Sequence, residues 1–140
     1  MPKKRPVILL DTNMLLLIAS GLNVFEQIEE KLATRPIYIV LKPIIEELEK
    51  LTRKSQPSIR RKAKFALEIA KKYCKIIDIE ASPKEKVDDI ILEYATKHGV
   101  AVATNDKELR KKLRENGIPE IYLREEGMII EIEGLDYWNN

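Results

Sequence analysis

Val7-Ile8-Leu9-Leu10-Asp11-Thr12-Asn13 decides the fold: four apolar residues run without alternation and stop at an acid, an alcohol and an amide. An unbroken apolar run cannot place every second side chain in water, so the pattern predicts a strand covered on both faces, as in parallel sheets. Such strands deliver the residue at their carboxyl end to the rim where open α/β sheets bind ligands. Asp11 is therefore a candidate site residue. The same triplet has the composition of a helix N-cap, and that alternative needs no chemistry.

Downstream, helices and strands alternate. Asn13 to Ser20 suits a short helix ending at Gly21, and Val24, Ile28 and Leu32 share one face of a second helix from about Asn23 to Ala33. Ile37 to Leu41 reads as a second buried strand. Pro43 opens a third helix with Ile44, Leu48 and Leu51 inward, and Ser58 is expected to cap a fourth whose stripe is Ala63, Leu67, Ala70 and Tyr73 or Cys74. A third strand is expected over Lys75 to Ile79. Ser82-Pro83-Lys84-Glu85 has the capping-box spacing and predicts a fifth helix running to His98, ended by Gly99. Val100 to Thr104 is a fourth strand, followed by a basic helix to about Asn116 that Gly117 terminates. Glu120 to Leu123 and the alternating Met128 to Glu133, an edge strand after the Glu126-Gly127 turn, close the pattern. This order predicts a three-layer α/β/α sandwich around a central, mostly parallel sheet.

At 140 residues the chain is expected to be a single domain, 1–140, with a core over about 7–123 and a C-terminal edge-strand extension over 124–140. Hydrophobic residues at 44% and charged residues at 34% exclude a disordered chain. No apolar run has membrane-spanning length and the first residues lack a signal-peptide core, so a cytoplasmic location and no membrane partner are expected. The richness in Lys, Glu, Arg and Ile, with two glutamines, is compatible with a thermophilic source. Cys74 excludes an internal disulfide or a cysteine-rich metal site and reads as a buried thiol.

The net charge is +2, but the charges segregate: Lys50 to Lys64 carries seven cations and no acid, and a second basic set runs from Lys107 to Arg114. Arg53, Lys54, Arg60 and Arg61 are the candidates for contact with a nucleic-acid backbone. The second set, interleaved with Glu108 and Glu115, also reads as a solvated helix face.

Four acids recur in equivalent contexts. Asp11 ends the first strand, Glu47 lies in the helix after the second, Asp88 in the helix after the third, and Asp106 follows the fourth. In a parallel sheet these positions converge on one rim. Carboxylates gathered there repel one another unless a cation offsets their charge. With oxygen ligands and no His or Cys nearby, Mg²⁺ or Mn²⁺ suits the set better than Zn²⁺. Water held by such an ion can attack a phosphodiester. Thr12, Asn13, Thr104 and Asn105 are placed to orient carboxylates or waters. His98, beside a helix-ending glycine, reads as a C-terminal cap, and Tyr137 and Trp138 as a base-stacking pair or a docked tail.

These motifs together resemble the PIN-domain nucleases. Ile8-Leu9-Leu10-Asp11-Thr12-Asn13 is similar to the first family motif and Pro43 through Glu47-Leu48 to the second. Asp88-Asp89-Ile90-Ile91 with Ala95 is similar to the third, and Thr104-Asn105-Asp106 with Leu109 to the fourth. The resemblance implies a Mg²⁺- or Mn²⁺-dependent endoribonuclease with Asp11, Glu47, Asp88 and Asp106 as catalytic metal ligands. Asp89 is a further candidate ligand, and Glu46 and Glu49 compete with Glu47. The Thr-Asn-Asp-Lys-Glu-Leu stretch looks most like archaeal relatives of the PIN endonucleases that process pre-ribosomal RNA. Ribonuclease toxins of toxin–antitoxin pairs share the core. RNA is the implied substrate, and a homodimer, an antitoxin or a ribosome-assembly partner the implied associations. A non-catalytic RNA-binding module is the competing reading, although binding phosphate needs no cluster of negative charge. A phosphatase-like α/β domain is disfavoured because Asn13 stands where haloacid dehalogenase-like enzymes carry a second Asp. Nor does a suitably placed lysine follow the fifth strand, as receiver domains require.

Overall fold

The structure, a computed structural model, describes residues 5–54 and 56–138, with only the backbone described for Asp136 and Tyr137. The chain runs through β1 (Val7–Leu10), α1 (Thr12–Ala19), α2 (Val24–Leu32), β2 (Ile37–Leu41), α3 (Lys42–Leu51), α4 (Pro57–Tyr73) and β3 (Lys75–Ile77). It continues through α5 (Val87–His98), β4 (Ala101–Ala103), α6 (Lys107–Glu115), β5 (Glu120–Arg124), β6 (Ile129–Glu133) and α7 (Leu135–Trp138). Among the described residues six strands form one sheet in the order β3-β2-β1-β4-β5-β6, with β1 to β5 parallel and β6 antiparallel to β5.

The apolar strands are covered on both faces as expected. Ile8, Leu9, Leu10, Val40, Leu41, Ala101, Val102 and Ala103 have no exposed surface. Each buried Leu or Ile contributes about 2 kcal/mol relative to exposure. α1, α3 and α4 pack on one another, and α5 packs on α6. From β1 the chain moves toward β2, whereas from β4 it moves toward β5. β1 and β4 are neighbours, so the crevice at their carboxyl ends is the point where the winding reverses, the preferred ligand position of such sheets.

Differences from the sequence expectations have local causes. The Ser82–Glu85 signature closes a turn of its own: Ser82 N donates to Glu85 Oε1 (3.2 Å) and Glu85 N to Ser82 O (2.9 Å). Lys86 is then extended and α5 starts at Val87, which places Asp88 and Asp89 in its first turn. Ser58 does not cap α4; Gln56 is the N-cap residue and Pro57 the first helical residue. The buried stripe of α4 is Ala63, Ala66, Ile69 and Ala70, which turns Tyr73 outward to 55% exposure. The third strand ends at Ile77, two residues early. Gly99 and Gly117 end their helices with φ of +64° and +66°, the left-handed conformation that glycine adopts without strain.

β6 is anchored by one side chain of α2. Gln27 Nε2 donates to Met128 O (3.1 Å), and its Oε1 accepts from Ile130 N (2.8 Å). Trp138 is half-buried against the core, so it docks the tail; the Tyr137 side chain lies outside the described residues. Cys74 is partly buried, and burial pushes its thiol up to about 12. His98 stacks on Tyr94 at 4.2 Å between ring centroids. Among the described residues no helix is long and apolar enough to cross a membrane.

Candidate active site

Asp11 is both the N-cap of α1, with Oδ1 accepting from Met14 N (2.8 Å), and the residue at the carboxyl end of the first strand, with its side chain buried at 7% exposure. Sheet pairing extends into the site. Asp11 N donates to Ala103 O (3.3 Å) and Thr104 N to Ile121 O (2.9 Å), so both residues are held by the ladder rather than by a loop.

Thr104 links two of the acids. Its hydroxyl donates to Asp11 Oδ2 (2.5 Å), and its oxygen accepts from Asp106 N (3.0 Å). Asp106 in turn caps α6 by accepting from Leu109 N (2.9 Å). Burial raises the Asp11 carboxyl to about 6; the bonds from Thr104 and Met14 oppose the rise, and the charges of Asp88 and Asp106 add to it.

Asp88 is raised chiefly by burial, then by Asp106, Glu47 and Asp89, with Lys112 opposing. Carboxylates from β1, α3, α5 and the start of α6 therefore act on one another in one crevice. On α3, Glu47 is half-buried while Glu46 and Glu49 are exposed. On α5, Asp88 is half-buried while Asp89 is exposed and faces Lys112 of α6, with Nζ 3.7 Å from its Oδ1. The sequence does not distinguish Lys112 from the rest of its basic helix; only the packing of α5 on α6 singles it out.

The auxiliary residues divide. Thr104 touches two acids. Thr12 buries a hydroxyl without a hydrogen-bond partner beside Asp11, whereas Asn13 is exposed. Asn105 turns to β5, with Nδ2 donating to Leu123 O (3.0 Å) and Oδ1 accepting from Leu123 N (2.8 Å), so its amide holds the loop rather than a carboxylate. Arg53 and Lys54 lie in the turn after α3, and Arg60 and Arg61 in the first two turns of α4. Arg60 Nη1 donates to Lys54 O (2.9 Å).

Among the described residues no three His, Cys, Asp or Glu side chains are gathered tightly enough to hold one metal ion by themselves. The donor set still fits a hard cation. Mg²⁺ keeps several waters and takes one or two carboxylates directly, and the repulsion among the acids, which adds to the effect of burial on Asp11 and Asp88, is what a cation offsets.

The family profile for PIN-like domains matches residues 8–126. The chain is 39% identical to ribonuclease VapC4 of Methanocaldococcus jannaschii over 118 residues, 82% of this chain and 88% of the relative. It is 33% identical to ribonuclease VapC9 of Archaeoglobus fulgidus over 127 residues, 90% of this chain and 88% of the relative. The rRNA-processing protein utp23 of Schizosaccharomyces pombe is 31% identical over 69% of this chain and 38% of its own length. The solved structure of the PIN domain endonuclease Utp24 superposes with a TM-score of 0.73 at 26% identity, over 91% of this chain and 90% of that one. With the match spanning all four acids, the chain belongs to the PIN-like domain family.

Proposed function

We propose that the protein is a metal-dependent endoribonuclease hydrolysing RNA phosphodiester bonds, with Asp11, Glu47, Asp88 and Asp106 as its catalytic carboxylates. The observation that carries this reading is geometric: Asp11 and Asp106 are joined through the Thr104 hydroxyl at the β1/β4 crevice, and Glu47 of α3 and Asp88 of α5 come near enough to act on that pair. A site built only to bind phosphate gains nothing from concentrated negative charge.

In this proposal Asp11, held by Met14 N and the Thr104 hydroxyl, would be the fixed ligand. Asp106 is oriented by the same threonine and by its cap of α6. Glu47 and Asp88 approach from α3 and α5 and orient water. Asp89, drawn to Lys112, is left off the metal. A Mg²⁺ or Mn²⁺ ion held by these carboxylates would offset charge on the phosphate and help to activate water.

The test is cleavage of a labelled structured RNA by purified protein with Mg²⁺, Mn²⁺ or EDTA. Metal-dependent cutting is expected, lost in Glu47→Gln and retained in Glu46→Gln. Tight RNA binding without turnover in either metal would instead favour a binding module. Cytoplasmic pre-ribosomal RNA processing, with a ribosome-assembly partner, is the proposed setting, supported by the 31% identity to the rRNA-processing protein utp23 over 69% of this chain. A toxin-type ribonuclease paired with an antitoxin is the second reading, favoured by the 39% identity to VapC4; homodimerisation is compatible with both.

RNA contact is assigned to Arg53, Lys54, Arg60 and Arg61. Reversing them to Glu is expected to weaken RNA binding and to flatten its log–log salt dependence by about 0.7 for each single-strand phosphate that is no longer neutralised. An unchanged salt slope, measured by anisotropy titration, would remove these residues from the interface.

A further inference from the structure

At the rim opposite the carboxylates, a cleft of about 460 Å³ opens beside the amino ends of β2 and β3. It lies roughly the length of β2, about 16 Å at 3.3 Å per residue, from the acidic end of the sheet. The catalytic reading does not use it.

Its walls carry two features together. The first is charge: Arg5, Arg35, Lys72 and Lys75 line it, and Glu29 is the acid among its described lining residues. Both Glu29 oxygens are already engaged, Oε1 by Arg35 Nε at 3.5 Å and Oε2 by the Tyr38 hydroxyl at 3.1 Å. The cleft therefore presents a net positive charge, in contrast to the acidic crevice at the other rim. The second feature is an aromatic wall. Phe25 packs on Tyr38 with ring centroids 4.4 Å apart and on Tyr73 at 5.9 Å. Tyr38 is buried, but Tyr73, at the last turn of α4, leaves 55% of its surface open, and Lys72 Nζ stands 5.4 Å from its ring centroid.

Burial of a large aromatic face normally favours folding, so an exposed ring backed by Phe25, beside Lys72 and in a cleft lined by further cations, is a surface with unused stacking capacity. Aromatic faces interleaved with lysine and arginine match the two parts of a nucleotide, a flat base and an anionic phosphate. The volume is that of a small-ligand pocket rather than of a duplex groove.

We infer that this cleft is a second RNA site, which takes an unpaired nucleotide of the substrate strand by stacking its base on Tyr73 and pairing its phosphate with Lys72 and Lys75. The inference rests on the reading of RNA as the ligand, but not on cleavage. A strand held there and at the acidic crevice is tethered at both rims of the sheet, which raises the effective concentration of RNA at the site of cutting.

The experiment measures binding of a fluorescein-labelled unstructured RNA to the full chain in EDTA, where no cutting occurs. Tyr73→Ala is expected to weaken binding about tenfold, the usual loss for one stacked base, and Tyr73→Phe to bind as wild type. Lys72→Glu with Lys75→Glu is expected to weaken binding by a similar factor and to lower the salt slope. RNA bearing 5-iodouridine should photocross-link to Tyr73, and excess AMP should displace the RNA only weakly, which separates a strand site from a free-nucleotide site. Unchanged affinity in both variants, or AMP binding as tightly as RNA, overturns the assignment. If the wild type cuts RNA while Tyr73→Ala binds normally, the second site alone fails. If no metal supports cutting yet Tyr73→Ala still loses affinity, cleavage alone fails.

Discussion

Asp11→Asn is expected to abolish RNA cleavage while making the metal-free protein more stable. The folded-state pKa of Asp11, about 6, lies above the ordinary 3.8, chiefly because the carboxylate is buried. Between those values the folded protein keeps a proton that the unfolded chain has released. The stability linked to that proton is complete below about pH 4 and is lost as the pH rises through 6, an effect of about 3 kcal/mol at neutral pH.

Asparagine removes the buried charge and keeps the contacts. Its oxygen can accept from Met14 N, and its amide can donate to Thr104 Oγ1. In EDTA at pH 8 the variant should therefore gain about 1–3 kcal/mol, and its stability should fall less between pH 5 and 8 than that of the wild type. Asp88, raised chiefly by burial, shifts stability with pH in the same direction. Added Mg²⁺ should raise the melting temperature of the wild type and leave the variant unmoved, since only a ligand that binds the folded state stabilises it. Cleavage should drop by more than the roughly 10–100-fold typical of groups that merely orient a ligand. Thermal melts at both pH values, with and without Mg²⁺, beside a cleavage assay, check all of this. A variant that cuts RNA like the wild type would remove Asp11 from the site.

Glu120→Ala is expected to produce the largest loss of stability with no direct effect on chemistry. Glu120 opens β5 with its side chain 1% exposed, Arg110 Nε 2.8 Å from Oε1 and Arg114 Nε 3.2 Å from Oε2. The Arg114 contact is an ion pair without hydrogen-bond geometry, so Oε2 has no hydrogen-bond partner. The Arg110 guanidinium also lies over the Tyr122 ring at 3.4 Å.

Removing the acid strands a largely buried arginine, and breaking such a pair costs about 3 kcal/mol or more. For a chain of this size that is a fall in melting temperature of roughly 10 °C. The loss should be partly undone in a Glu120→Leu, Arg110→Met double variant, because exchanging both partners for apolar groups removes the stranded charge. A single variant melting within a degree or two of the wild type would show that solvent already screens the pair.

Much of the architecture is legible in the sequence because its signals are local. Unbroken apolar runs mark parallel strands, Gly99 and Gly117 mark helix ends, and parallel strands bring their carboxyl-end residues to one rim whatever their separation in sequence. What sequence leaves open depends on contacts between elements. Asp88 and Asp89 differ because Lys112 approaches from α6. Asn105, expected to orient a carboxylate, is claimed by the backbone of Leu123. The Ser82–Glu85 signature is consumed by its own turn because Lys86 is extended. Of Tyr73 and Cys74, either of which could continue the core stripe of α4, Cys74 packs on the core and Tyr73 is turned outward. A buried acid between two arginines, as at Glu120, leaves no short-range pattern at all.

Gln27 bears on how the molecule behaves in a crowded solution. Its amide accepts from Ile130 N and donates to Met128 O, the two bonds that the C=O and N–H of one residue in an adjoining parallel strand would make. A side chain thus imitates a seventh strand over a short length of the outer margin of β6, where unpaired main-chain groups would otherwise invite another chain to add on. A shorter or apolar residue at this position would leave that margin open, and self-association through β6 would be the consequence.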